Sequence, residues 1–205
     1  MENDNRALSK WDKSNISYQN FSKYIENKPN KFKFKLTIID LFYISNFKGG
    51  NSTINEKETE IELKLKSYED ILKEIDKAFS SKKLCQTTEK ELTKLIDFSK
   101  KVIEFSVSKG ENKIDGFSVS YISTLLHFYF PDLYPILDRR VLNGLKLITE
   151  KEIDKLGQVK NIHEYYPTLI TKFRELNNNK SIRELDKEYF IKEFKLNSNG
   201  KTKLK

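Results

Sequence analysis

Residues 116–145 read GFSVSYISTLLHFYFPDLYPILDRRVLNGL, and the order of features in that stretch decides the architecture. Gly116 stands where a turn is needed, because glycine takes a positive φ without a steric penalty. An apolar helical run follows and stops at Pro131, since proline lacks the N–H that would continue a helix. Pro135-Ile136-Leu137-Asp138 then delivers an aspartate to the start of another helix, whose apolar face is Val141, Leu142 and Leu145. Turn, helix, extended link and capped helix are the predicted sequence of elements.

The same reasoning carries outward in both directions. Leu36 to Phe47 reads as a helix, with Thr37 and Asp40 spaced as a capping box and Gly49-Gly50 as its stop. A longer helix is expected from about Thr53, because Ile54, Ile61, Leu65, Tyr68, Leu72, Ile75 and Phe79 recur at helical spacing. The alternation Ile61-Glu62-Leu63-Lys64-Leu65 hints at a strand, but the longer register favours helix. Thr88 caps a third run bearing Leu92, Leu95, Ile96, Ser99, Val102 and Ile103 on one face, ending near Gly110. Beyond the central stretch, Tyr165, Leu169, Ile170 and Phe173 form a face next to Pro167, and Ser181-Ile182-Arg183-Glu184 is a capping-box signature. The chain therefore reads as all-α: one helical domain over residues 1–196, a hairpin region over 111–145 and a loose basic tail over 197–205.

Composition bounds the function. With 205 residues, 33% charged and 12% aromatic, the chain has enough apolar sequence for a core and does not read as disordered. It opens on MENDNRALSK, which is no secretory leader, and no run of about 20 apolar residues is present. The lone Cys85 forms no internal disulfide, so a cytoplasmic protein is expected, without membrane association. One Cys and two His exclude a four-cysteine iron–sulfur cluster, and no zinc, Walker or dinucleotide motif is found, so neither metal nor cofactor is expected.

The net charge is +8, and its excess lies in two places. Residues 1–53 carry 9 basic and 5 acidic side chains and residues 181–205 carry 7 and 4, whereas residues 54–108 are balanced at 11 and 12. In Lys31-Phe32-Lys33-Phe34-Lys35 basic and aromatic residues interleave, which suits phosphate binding with base stacking. A solvated lysine edge over a few core aromatics would look the same.

The stretch 116–145 resembles the core of the helix-hairpin-helix DNA glycosylases, especially bacterial proteins with an 8-oxoguanine-glycosylase-like fold. More loosely, Leu41 to Thr53 and Ile182 to Phe190 look like segments of the same small bacterial proteins. The resemblance implies a helical bundle of two closely packed lobes, a hairpin that grips DNA backbone, and an aspartate that follows the hairpin at a nearly fixed distance. In the family the hairpin typically reads Leu-Pro-Gly-x-Gly; here Ile114-Asp115-Gly116-Phe117-Ser118 stands in its place. Bifunctional members carry a Schiff-base lysine two residues after the second glycine, where this chain has Ser120, and a serine hydroxyl forms no imine.

What the resemblance implies for function is therefore a monofunctional glycosylase that hydrolyses the bond between a damaged or modified base and its sugar. Asp138 would be the carboxylate that stabilises positive charge on the sugar or positions the attacking water. Gly116, Phe117, Ser118, Ser120, Arg139 and Arg140, together with Lys31, Lys33 and Lys35, would contact nucleic acid. Other readings stand beside these. Asp138 also fits an ordinary helix N-cap, Phe117 a core residue as well as a wedge into a base step, and Arg139 and Arg140 internal ion pairs. His127, inside an apolar run, reads as a packing residue. The competing function is a non-catalytic helix-hairpin-helix module that binds nucleic acid or a protein partner, in keeping with the anti-phage operons such proteins often accompany. The surroundings of Asp138 discriminate: an open, aromatic-lined cleft favours an enzyme, and a carboxylate sealed under Arg139 or Arg140 favours a binding module.

Overall fold

A computed structural model describes residues 2–50, 54–108 and 110–200. Among them are eight α-helices and no strand: α1 (Glu2–Glu26), α2 (Ile38–Phe47), α3 (Glu58–Phe79), α4 (Glu89–Val107), α5 (Val119–Tyr129), α6 (Arg139–Gly144), α7 (Tyr166–Leu176) and α8 (Ile182–Gly200). A single antiparallel bridge joins Ile153 and Val159. The all-α reading is thus the observed one. No described helix is long and apolar enough to cross a membrane.

The helix boundaries follow local chemistry. The Asp40 carboxylate accepts the Thr37 backbone N–H at 2.9 Å and fixes the start of α2. Gly49 and Gly50, at φ 99° and 70°, close its end, where the Gly50 N–H donates to the Ser45 carbonyl at 2.8 Å. Thr88 and Glu91 cap α4 reciprocally, as Ser181 and Glu184 do α8. The alternating segment 61–65 is helical: Ile61 and Leu65 are buried inside α3 and Leu63 points to solvent. Thr53, expected as the cap of α3, lies outside the described residues, and the helix begins at Glu58. At the other end α8 continues to Gly200, so 197–200 are helical where a loose tail was expected; residues 201–205 lie outside the described ones.

The longest helix was not anticipated. α1 spans 25 residues, yet among its described side chains only Trp11 and Phe21 are buried, so its apolar stripe is too sparse to stand out in the sequence. It is held by its neighbours, packing on α2, α5 and α8. A single buried cluster runs through all eight helices, from Phe21 of α1 to Tyr189 of α8. Within it α6 lies hard against α8: a methyl group at Gly144 would sit 2.1 Å from the Tyr189 carbonyl oxygen. That contact holds the end of α6 against α8, and the packing of α1 on α8 brings the two basic stretches of the sequence together.

Candidate active site

The glycine turn lies in the link between two helices. α4 ends at Val107, α5 begins at Val119 with Ser118 as its N-cap, and Gly116 between them holds φ 81°. Its surroundings correct one expectation. Phe117 is 3% exposed and packs against Tyr68 and Tyr121, so it is a core residue and cannot wedge into a base step in this conformation. Gly116 and Ser118 are exposed, but the neighbouring Asp115 N–H already donates to the Glu56 carboxylate at 2.6 Å. Glu56 is paired in turn with Lys64. An internal carboxylate thus occupies one amide of the turn that the resemblance assigns to phosphate.

The clearer role of α5 is to position Asp138. Ser120 Oγ donates to the Leu137 carbonyl at 3.2 Å, and the Leu137 N–H donates to Ser123 Oγ at 2.9 Å. These two hydroxyls pin the extended link onto α5 and set the entry into α6. There Asp138 acts as N-cap, with Oδ1 accepting the Arg140 N–H at 2.8 Å. Its other oxygen faces Lys48 Nζ at 3.3 Å, delivered by the glycine stop of α2. Burial alone would raise the Asp138 pKa, but the Lys48 ammonium, the Arg140 N–H and the Arg140 guanidinium outweigh it and hold the carboxyl below its ordinary value.

Asp138 remains 27% exposed and forms part of the wall of a cavity of about 470 Å³, within the roughly 300–1,000 Å³ of small-ligand sites. Trp11 and Phe47 give it aromatic walls, with Phe190 edge-on to Trp11 at 5.5 Å between ring centres. Lys10, Lys13, Lys48, Arg140 and Arg183 surround it with positive charge. Arg140 lies over the Phe190 ring at 4.9 Å, whereas Arg139 points elsewhere and donates to the Gly157 carbonyl. Of the two arginines, only Arg140 reaches the cavity.

The sequence reading gave no site role to several contributors, among them Trp11, Lys48, Arg183 and Asp186. The Arg183 guanidinium lies 3.9 Å from the Trp11 ring and 4.2 Å from the Tyr18 ring, and its Nε and Nη2 are buried without a hydrogen-bond partner. Ring faces rather than acceptors stabilise this cation. Asp186 is 2% exposed, with neither oxygen hydrogen-bonded among the described residues. A signal for it existed: Ile182, Leu185 and Tyr189 mark the buried stripe of α8, and Asp186 sits on that stripe, four residues after Ile182.

The lysine patch is elsewhere. Lys31 and Lys35 are exposed around Phe32, which is itself 45% exposed, while Lys33 pairs with Asp76 at 3.1 Å. Lys28, beside them, is structural, donating to Asp40, Tyr129 and the Lys35 carbonyl. The patch lies near Tyr24, toward the opposite end of α1 from Trp11, about 20 Å away at about 1.5 Å rise per residue. His127 is fully buried, as expected. Burial lowers its pKa to about 3, so it is neutral, donating from Nδ1 to the Tyr134 carbonyl at 2.7 Å and accepting the Tyr18 hydroxyl at Nε2. No cluster of three or more His, Cys, Asp or Glu suited to a metal ion occurs among the described residues.

No protein-family model matches this chain, and comparisons with curated proteins and with solved structures return no significant match.

Proposed function

We propose that the protein is a helix-hairpin-helix glycosylase-like enzyme that hydrolyses the N-glycosidic bond of a damaged or modified base in DNA, without a metal and without cutting the strand. One observation carries this reading. Asp138 is held ionised at the N-terminus of α6, on the wall of an aromatic-lined cavity large enough for a base and ringed by five cations. As the bond to the base breaks, positive charge grows on the sugar, and a fixed carboxylate stabilises it without reorganising. The same group accepts a proton from the attacking water. Phe47, half-buried on the cavity wall, offers a ring for an extruded base, and the surrounding cations attract the backbone.

Incubating the protein with duplexes bearing a panel of modified bases, then treating with alkali, tests this directly. Excision should leave abasic sites that break only under alkali, and borohydride should trap no protein–DNA adduct. A trapped adduct would reveal an imine-forming amine, for which Lys10, Lys13 and Lys48 line the cavity, and would overturn the monofunctional reading. A second reading, a non-catalytic module that binds nucleic acid or a partner protein in a bacterial defence system, is favoured by Glu56 occupying the hairpin turn. It predicts DNA binding with no excision from any substrate in the panel.

A further inference from the structure

Two carboxylates line the same cavity, and their surroundings differ sharply. Asp138 has a lysine ammonium and a backbone N–H on its oxygens. Asp186 has no ammonium on its oxygens: both are buried on the apolar stripe of α8, without a hydrogen bond of normal geometry among the described residues, and the backbone N–H directed at them is that of Ile136. The groups facing Asp186 are Arg183 on its own helix, Asp138 at the start of α6, Lys48 after α2, Tyr18 on α1 and Tyr166 on α7. Lys10, Lys13 and Arg140 line the same cavity. A deeply buried acid short of donors keeps its proton, whereas one beside an ammonium loses it. Environments that push two acids apart assign one as proton donor and the other as base or charge stabiliser.

We infer that Asp186 is the proton donor to the departing base, acting with Asp138 in the same cavity; this rests on the glycosylase reading above. The bond between the sugar C1′ and the base nitrogen breaks and its electron pair goes to the base, while the Asp186 proton moves to a basic atom of that base, which leaves neutral. The water oxygen bonds to C1′ and its proton passes to the Asp138 carboxylate. Asp186 then takes a proton from solvent and Asp138 returns one, so no net proton is consumed. In support, burial raises the Asp186 pKa to about 7, the Asp138 charge adding to the effect while Arg183, Lys48 and the Ile136 N–H oppose it. The acid is therefore still largely protonated just below neutral pH.

The test is single-turnover excision as a function of pH, on duplexes carrying neutral lesions (8-oxoguanine, hypoxanthine, uracil) and on one carrying cationic 7-methylguanine. For a neutral base the wild-type rate should fall above about pH 7, as Asp186 ionises. Asp186→Asn can donate a hydrogen bond but no proton, so its rate should drop by roughly 10²–10⁴ and lose that alkaline limb. Asp186→Glu should restore part of both. Departure of 7-methylguanine needs no proton, so the asparagine variant should excise it at nearly the wild-type rate. If Asp186→Asn keeps the alkaline limb, or slows neutral and cationic bases equally, Asp186 is not the donor and the glycosylase reading stands without it. If the wild type excises 7-methylguanine alone, the donor is likewise refuted. If it excises nothing, the glycosylase reading fails and the donor with it.

Discussion

Two side chains, Asp138 and Asp186, set most of the testable chemistry. Asp138→Asn keeps a capping oxygen for the Arg140 N–H but removes the charge. It should therefore lower excision by on the order of 100-fold or more while DNA binding, read by fluorescence anisotropy, changes little. Ser120→Ala loses only one hydroxyl bond to the Leu137 carbonyl and should cost far less activity. The two carboxylates' effects on stability run in opposite directions with pH. Asp186 has a raised folded-state pKa, so its contribution is fully present below the ordinary carboxylate value and is lost as pH rises toward about 7. The depressed Asp138 pKa works the other way, its contribution being lost only as pH falls through the folded value. Asp186→Asn should thus stabilise the protein most at pH 8, by on the order of 4 kcal/mol, and least near pH 4, as measured by urea unfolding. A gain independent of pH would show that folding does not shift the Asp186 pKa, so that the carboxylate is ionised at neutral pH and cannot be the proton donor.

Helices were legible in the sequence where capping residues and dense apolar stripes coincided. Thr37 with Asp40, Thr88 with Glu91 and Ser181 with Glu184 all mark observed helix starts. The turn at Gly116 and the cap at Asp138 were legible for the same reason, since both are local backbone requirements. α1 was not, because its stability comes from tertiary packing and its stripe is polar between Trp11 and Phe21. The cavity was only partly legible: Lys48, Arg183 and Trp11 meet Asp138 through contacts between distant helices, which no local spacing encodes. Two substitutions probe the elements themselves. Gly144→Ala must push α6 away from the Tyr189 carbonyl and should destabilise by about 1–3 kcal/mol, a drop of several degrees in Tm by calorimetry. Glu56→Gln removes the negative charge beside the Asp115 N–H. It should strengthen DNA binding if the hairpin turn approaches phosphate, and leave binding unchanged if the turn faces no DNA.

Across the whole molecule, charge that is split in sequence is joined in space. The packing of α1 on α8 places Lys10, Lys13 and Arg183 around one cavity, while Lys31 and Lys35 form a separate exposed patch. Replacing Lys31, Lys33 and Lys35 with Ala should weaken DNA binding and flatten its dependence on log salt by about 0.9 for each phosphate that is no longer neutralised. Because Lys33 already pairs with Asp76, Lys31 and Lys35 should account for most of that change. An unchanged slope would make the patch a solvated face, leaving the cavity rim to hold the nucleic acid. The chain contains one tryptophan, and it is Trp11, stacked under Arg183 and edge-on to Phe190. Its intrinsic emission therefore reports on this one place in the protein without any label. In stopped-flow refolding, that signal should register the docking of α8 on α1 rather than the gathering of α3, α4 and α5, which circular dichroism would detect separately. Under titration with DNA, a nucleotide entering the cavity beside Arg183 should perturb the same emission, so site assembly and site occupancy can be followed through a single natural fluorophore.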